Sequence, residues 1–225
     1  MARLYKLTDP DGLTRPGFPN ETKWEPGKWN TVEEGRAGKK LCSADCLHAY
    51  ENPWLAVLLN PQHAWYNPFR LWEAEGRVTV REGYLKVGCK RMRVMRELKV
   101  PKMPTMKKLR EFILRVALEY VKDLRKRRVP GKKCAAALAV AEKKLRLRLQ
   151  GKEAEATALP FVNYDSGLSC PLWDMANGTY VCFRPNEIYA ILEELIYRKT
   201  LDVGEIAFKV FGKIKPLPQQ KGATE

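Results

Sequence analysis

The sequence has no apolar segment long enough to span a bilayer. Its longest apolar runs, residues 54–59 and 134–141, contain six and eight residues, whereas a membrane helix needs roughly 20. The first twelve residues contain no apolar core of the kind that secretory signal peptides carry. We therefore expect an intracellular, cytoplasmic protein with no membrane partner.

Cysteine and histidine are scarce, with six and two residues in a chain of 225. Without a secretory signal, we expect most of the cysteines to be reduced thiols. Cys42, Cys46 and His48 have the spacing Cys-x3-Cys-x-His, and these side chains can bind zinc, but a fourth ligand would have to come from Cys89 or His63. No second paired cysteine motif completes such a site, so buried thiols beside a packed histidine are the alternative. We expect no cofactor; zinc stays open as the metal alternative.

Several familiar motifs are missing. The sequence has no Walker phosphate loop, no Rossmann glycine fingerprint and no metalloprotease helix motif. It also has no helix-turn-helix, RNA-recognition or zinc-finger signature, so sequence-specific reading of nucleic acid is not supported.

Positive charge is what the sequence has in excess, and the excess is regional. The net charge is +15; residues 81–150 hold 23 Lys and Arg against 6 Asp and Glu, a local net of +17, and the remainder sums to −2. Such a region favours a polyanionic partner, nucleic acid first. The alternative is a set of helices with solvated basic faces.

Phosphate contacts from Lys and Arg carry little sequence information and weaken steeply with salt. We expect such contacts from one strand and from two helices that follow it. Tyr84 and the loop around Trp65, Tyr66 and Phe69 are candidates for stacking on bases, which would suit single strands. The predicted nucleic-acid-binding residues are Arg91, Arg93, Lys99, Lys107, Lys108, Arg110, Arg125, Lys126, Arg127, Arg128, Lys132, Lys133, Lys143, Lys144, Arg146 and Arg148.

The N-terminal half reads as a small domain with a mixed or antiparallel sheet. Alternation predicts strands at 3–9, 28–32, 69–80 with a bulge at Gly76, and 85–100. Asn52 and Pro53 are typical of a helix start, and we expect that helix to end before Pro61. On the last strand the residues predicted to face inward are Met92, Val94, Leu98 and Val100.

The C-terminal half reads as mainly helical. Thr105 is a good N-cap for a helix to about residue 128, and a second helix follows at 132–150, although Leu and Arg alternate like a strand in its second half. Residues 151–158 read as a polar extension or linker. Asn177-Gly178 predicts a β-hairpin near 172–183, followed by helices at 185–196 and 203–210. The apolar stripe of the first helix is predicted to hold Met106, Leu109, Phe112, Ile113, Val116, Tyr120 and Leu124.

The expected fold class is therefore α+β. We expect an α+β domain at 1–104, and a mainly helical region with one hairpin at 105–225 packed on it.

The N-terminal half also resembles a bacteriophage-associated protein family with no established reaction. The specific motif is Leu-His-Ala-Tyr-x-x-Pro-x-Leu-Ala-Val-Leu-Leu-Asn-Pro at residues 47–61; weaker ones lie at 4–9, 71–76, 85–89 and 94–98. The resemblance covers roughly residues 3–120 and implies a phage setting. A host or phage protein is a further candidate partner, and the location expected for a viral protein is the host-cell cytoplasm.

The order of these elements is also similar to that of ADP-ribosyltransferase folds, by analogy alone. Those enzymes place His or Arg, then Tyr or Ser, then Glu around NAD, and the matching candidates are His48, Tyr50 and Glu97. Three function classes follow. The sequence favours a phage-type accessory protein that binds nucleic acid non-specifically through a basic surface; the alternatives are an NAD-using ADP-ribosyltransferase-like enzyme and a structural or host-protein-binding factor.

Overall fold

The computed structural model describes residues 1–32, 41, 45–82, 86–127, 132–160, 175–177 and 202–217. Within them the fold is α+β, as the sequence predicts, with an antiparallel sheet and separate helices. The chain divides into two compact units. Unit 1 holds Met1–Met103 and the segment from Gly212; unit 2 holds Pro104–Phe211. The predicted division kept the whole C-terminal part in the second domain, whereas the segment from Gly212 belongs to unit 1.

None of the helices in the described ranges is long and apolar enough to cross a membrane.

Every strand that the structure describes lies in unit 1, and all strand pairings are antiparallel. The two longest strands pair with each other over most of their length, and their neighbours are short. The strands are β1 Ala2–Thr8, β2 Leu13–Thr14, β3 Thr22–Lys23, β4 Trp29–Thr31, β5 Leu47–Ala49, β6 Arg70–Glu82 and β7 Lys86–Leu98.

The main sheet closes on itself. β1 pairs with β6, β6 with β7, and β7 with β5. Tyr50, directly after β5, then exchanges two backbone hydrogen bonds with Tyr5 of β1, at 2.8 and 2.9 Å. β4 pairs with β7 farther along the same edge. Closure gives the sheet an inside, where its apolar faces are buried, and an outside.

The alternation of β6 and β7 decides which side chains lie inside. The buried cluster consists of Leu4, Trp24, Ala49, Trp72, Ala74, Val87, Cys89, Met92 and Val94. The predicted irregularity at Gly76 is confirmed, because the register shifts between Gly76 and Val78. The predicted burial of Val100 is wrong: β7 ends at Leu98, and Val100 beyond it is 37% exposed.

Helix α1, Pro53–His63, starts as predicted. The Asn52 side chain accepts hydrogen bonds from the backbone N–H groups of Trp54 (2.9 Å) and Leu55 (3.4 Å). The expected end before Pro61 is wrong. Proline costs a helix one backbone bond, but residues 54–59 are buried, and the helix continues until the Asn60 carbonyl accepts from both Ala64 and Trp65.

Unit 2 contains helices α2 Met106–Lys126, α3 Lys132–Leu149, α4 Glu153–Ala158 and α5 Val203–Phe211. Thr105 caps α2 as predicted, accepting from the Lys108 N–H. The predicted apolar stripe is buried from Leu109 to Leu124, but Met106 in the first turn is exposed. The Leu/Arg alternation does not make a strand, and the predicted linker contains α4.

The predicted hairpin falls largely outside the described residues. Its described part, residues 175–177, is helical rather than extended. Lys144 Nζ donates to Asn177 Oδ1 at 3.0 Å, which fixes this turn to α3. The helix predicted at 185–196 also lies outside the described ranges, whereas the one predicted at 203–210 is α5.

Candidate nucleic-acid interface

The outer face of the closed sheet is built from paired charges. Because side chains alternate along a strand, Glu73 and Glu75 of β6 point away from the core. Glu73 accepts from Arg3 at 2.9 Å and from Arg96 at 2.6 Å, and Glu75 accepts from Arg93 at 2.7 Å. Each carboxylate is thus neutralised by a guanidinium of a neighbouring strand, and the face keeps an excess of positive charge.

Arg91 supplies part of that excess and lies beside an aromatic ring. Trp29 of β4 is the cross-strand partner of Arg93. The Arg91 guanidinium carbon lies 4.2 Å from the Trp29 ring centroid, and that of Arg93 lies 4.7 Å from it. Arg91 pairs with no carboxylate among the described residues, so its N–H donors are open to solvent or to a ligand.

Stacking on a ring matters because it orients the guanidinium plane. A guanidinium has five N–H donors in a fixed fork that matches the oxygens of a phosphate. Holding that plane against Trp29 reduces the conformational entropy that phosphate binding would cost. Arg91 and Trp29, with Arg93 beside the same ring, form a candidate anion-binding group, which we call the Trp29 platform. Two donors of Arg93 are already bound to Glu75.

The basic residues of unit 2 are more often engaged locally. Helix and inter-helix ion pairs occupy a first group: Lys108 with Glu111, Arg110 with Glu153, Arg125 and Arg146 with Glu142, and Arg127 with Asp123. A second group is exposed and pairs with no carboxylate in the described ranges: Lys107, Lys126 and Lys143 in unit 2, and Lys99 in unit 1. Arg128 and the side chains of Lys132 and Lys133 lie outside what is described.

Two of the predicted binding residues, Lys144 and Arg148, are buried, contrary to the prediction from the sequence. The Arg148 side chain is 4% exposed; it pairs with Glu153, and its Nε donates to the Ala176 carbonyl at 3.2 Å. Lys144 is likewise buried. Because α3 stays helical, positions 144 and 148 face inward one turn apart. These two cations hold unit 2 together and are removed from the binding surface.

The predicted catalytic residues are not brought together. His48 pairs with Gly88 on β7, and Glu97 lies nine residues farther along that strand, about 30 Å of extended chain. The Glu97 carboxylate accepts from Arg70 at 3.0 Å (Nε) and 2.5 Å (Nη2). Tyr50 is buried in the closure of the sheet. The three side chains therefore do not form one NAD site.

The proposed zinc ligands do not form a cluster in the described residues, where no group of three metal-binding side chains is found. Cys42 and the His63 side chain lie outside the described part. Cys46 and Cys89 are buried. Burial raises the pKa of the Cys89 thiol to about 11.

Sequence reasoning missed Lys6. Its Nζ donates to the His48 carbonyl at 2.7 Å and lies 4.8 Å from the Trp24 ring centroid, and the residue is 8% exposed. Burial, followed by the Arg15 charge, lowers the pKa of Lys6 to about 7. A signal was present: strand alternation places residue 6 on the same face as Leu4, which is the core face.

The aromatic loop that the sequence offers for base stacking exposes Trp65 most strongly. Trp65 is 75% exposed and has a positive φ of 57°. The Asn60 amide holds the next residue, donating to the Tyr66 carbonyl at 2.9 Å and accepting from its N–H at 3.3 Å. Tyr84 lies outside the described residues. The loop thus presents one large ring to solvent from a fixed backbone.

Comparisons with protein-family models, curated proteins and solved structures found no match for this chain. The resemblance to bacteriophage-associated proteins stays a prediction from the motif at residues 47–61.

Proposed function

We propose that this protein binds nucleic acid without sequence selection, through the outer face of the closed sheet in unit 1. The observation that carries the proposal is the Trp29 platform. Arg91 and Arg93 stack on one indole, and Arg91 has no carboxylate partner in the described residues. Lys and Arg contacts to phosphates give affinity and position, and base identity does not enter them.

The charge of the whole chain supports the same function. At +15, the protein attracts polyanions over distances longer than a single contact. The exposed cations Lys99, Lys107, Lys126 and Lys143 add to that field. The phage setting implied by the N-terminal motif belongs to the same proposal: an accessory protein acting on phage or host nucleic acid in the cytoplasm.

The test is a titration of labelled single- and double-stranded DNA and RNA by fluorescence anisotropy, from about 50 to 300 mM salt. We expect affinity to fall linearly with salt on logarithmic axes, because bound counterions are released. Arg91→Glu should weaken binding about tenfold and make the salt dependence shallower.

Lys209→Glu is the matched control, because it changes the net charge equally on an exposed residue of α5. It should change affinity by less than about twofold. Absence of binding at about 50 mM salt, or equal losses in both variants, would rule out the Trp29 platform as the interface.

A further inference from the structure

A cleft lies at the end of the sheet where β6 begins and β7 ends. Its volume is about 880 Å³. Its lining includes Arg70, Trp72, Arg96 and Glu97 on the two strands. Pro26 and Leu217 form apolar walls. All of them belong to unit 1.

The guanidinium of Arg70 is fixed in this cleft by Trp72 and Glu97. Its guanidinium carbon lies 4.2 Å from the Trp72 ring centroid, and Glu97 accepts from both its Nε and its Nη2. Trp72 is itself fixed, because its Nε1 donates to Thr8 Oγ1 at 3.0 Å. The guanidinium thus lies over the indole, binds the carboxylate through two of its nitrogens, and belongs to a side chain that is 35% exposed to the cleft or to solvent.

A planar heteroaromatic ring suits the plane of the Arg70 guanidinium. Nucleobases stack on aromatic rings and on guanidinium planes whatever their sequence. Pro26 and Leu217 would cover the sides of such a ring. Leu217 is held in place by its N–H, which donates to the Glu97 carbonyl at 3.3 Å.

The cleft is continuous with the outer face of the sheet through Arg96. This residue lines the cleft and also binds Glu73 on the outer face. Arg93 of the Trp29 platform lies three residues away on the same strand, or about 10 Å. That distance corresponds to about three stacked nucleotides at 3.4 Å each.

We propose that the cleft takes an unpaired nucleobase of a single strand whose phosphates lie along Arg91, Arg93 and Arg96. The inference rests on the proposed function and sharpens it: the ligand class is single-stranded nucleic acid. A duplex keeps its bases stacked and paired, so it reaches the guanidiniums of the outer face and leaves the cleft empty.

The experiment compares four ligands on the full-length protein at one salt concentration. They are a single strand of about 12 nucleotides, the same strand with abasic sites at its centre, the matching duplex, and a nucleoside monophosphate. Base stacking at one position should make the intact strand bind about tenfold more tightly than the abasic one. The duplex should bind like the abasic strand.

Leu217→Trp would place an indole in the cleft, which Leu217 lines. Leu217 is 39% exposed, so the larger side chain should be tolerated. We expect it to remove the preference for the intact strand and to leave duplex binding unchanged. Met103→Trp is the control, since it adds an indole at an exposed residue of unit 1 that does not line the cleft; it should keep the preference.

Equal binding of intact and abasic strands by the native protein would overturn the inference while leaving duplex binding, and so the proposed function, intact. Loss of binding to all three oligonucleotides would overturn the proposed function itself. Monophosphate binding that is lost in Leu217→Trp, without any preference among the oligonucleotides, would assign the cleft to a free nucleotide and overturn the single-strand assignment.

Discussion

The two units use arginine in different ways. In unit 1, guanidiniums are held across strands by Glu73, Glu75 and Glu97 and by the ring of Trp29. Arg70 also lies over the Trp72 ring of its own strand. In unit 2 many cations pair three or four residues away on the same helix, as Lys108, Arg127 and Arg146 do. Such local pairs contribute about 0.3–0.5 kcal/mol each. A charge count therefore does not show which cations are available to a ligand; the groups that surround each cation do.

The largest expected effect is a pH dependence of the free energy of unfolding of unit 1, which Lys6 causes. Its folded pKa of about 7 lies below the ordinary value of 10.5. Between those values the unfolded chain holds a proton that the folded chain has lost, so the free energy of unfolding rises with pH. The slope is about 1.4 kcal/mol per pH unit. From pH 7 to 8.5 unit 1 should gain about 2 kcal/mol.

Tryptophan fluorescence during urea unfolding checks this, because five of the six tryptophans precede residue 104. Lys6→Met should flatten the pH dependence, and Lys107→Met, at an exposed position of α2, should retain it. A native protein whose unfolding midpoint is constant from pH 7 to 8.5 would contradict a deprotonating Lys6. The window stops at pH 8.5, about the ordinary pKa of a cysteine thiol, because further ionisation of the unfolded cysteines would oppose the effect of Lys6.

Gly88 tests how tightly the closed sheet is packed. A Cβ at this position would lie 2.7 Å from both Cys46 Sγ and Val80 Cγ1. Gly88→Ala should therefore destabilise unit 1 by about 2 kcal/mol, as overpacking does. Urea unfolding followed by tryptophan fluorescence measures the loss. Adding Cys46→Ala and Val80→Ala to Gly88→Ala should recover part of the lost stability. If Gly88→Ala alone is as stable as the native protein, the sheet is not tightly packed at this position.

The two helix caps give the smallest expected effects. Asn52 is buried and accepts from two N–H groups, whereas Thr105 accepts from one, at 3.4 Å. Asn52→Ala should cost about 1.5 kcal/mol and Thr105→Ala about 0.5 kcal/mol. Urea unfolding followed by tryptophan fluorescence would measure the loss at α1, and urea unfolding followed by far-UV circular dichroism would measure the loss at α2. The reverse order would mean that burial does not strengthen the cap.

Local patterns in the sequence predicted much of this fold. Asn52 and Thr105 marked helix starts, alternation marked β1, and Gly76 marked the irregularity in β6, because each is a preference of a few neighbouring residues. The patterns failed where distant residues decide. Pro61 did not end α1, and the Leu/Arg run of α3 did not become a strand, because burial outweighs a weak local preference.

The sequence predicted only some residues of the candidate interface, for the same physical reason. Charge and alternation predicted Arg91, Arg93 and Lys99 on the outside of the sheet, where they lie, but Lys144 and Arg148 were wrongly assigned to the surface. The contacts of Trp29 with Arg91 and of Arg70 with Glu97 were not predicted. Neither contact follows from neighbours in sequence: Trp29 and Arg91 are 62 positions apart, and Arg70 and Glu97 are 27 apart.

The sequence by itself determined the fold class, the helix starts, the alternation of the long strands and the concentration of positive charge, since these depend on residue types and short spacings. Only the tertiary structure decided which cations are exposed, which are buried and which lie on an indole. Closing the sheet joins residues that are far apart in the chain, and a charge acquires its role from the groups that surround it.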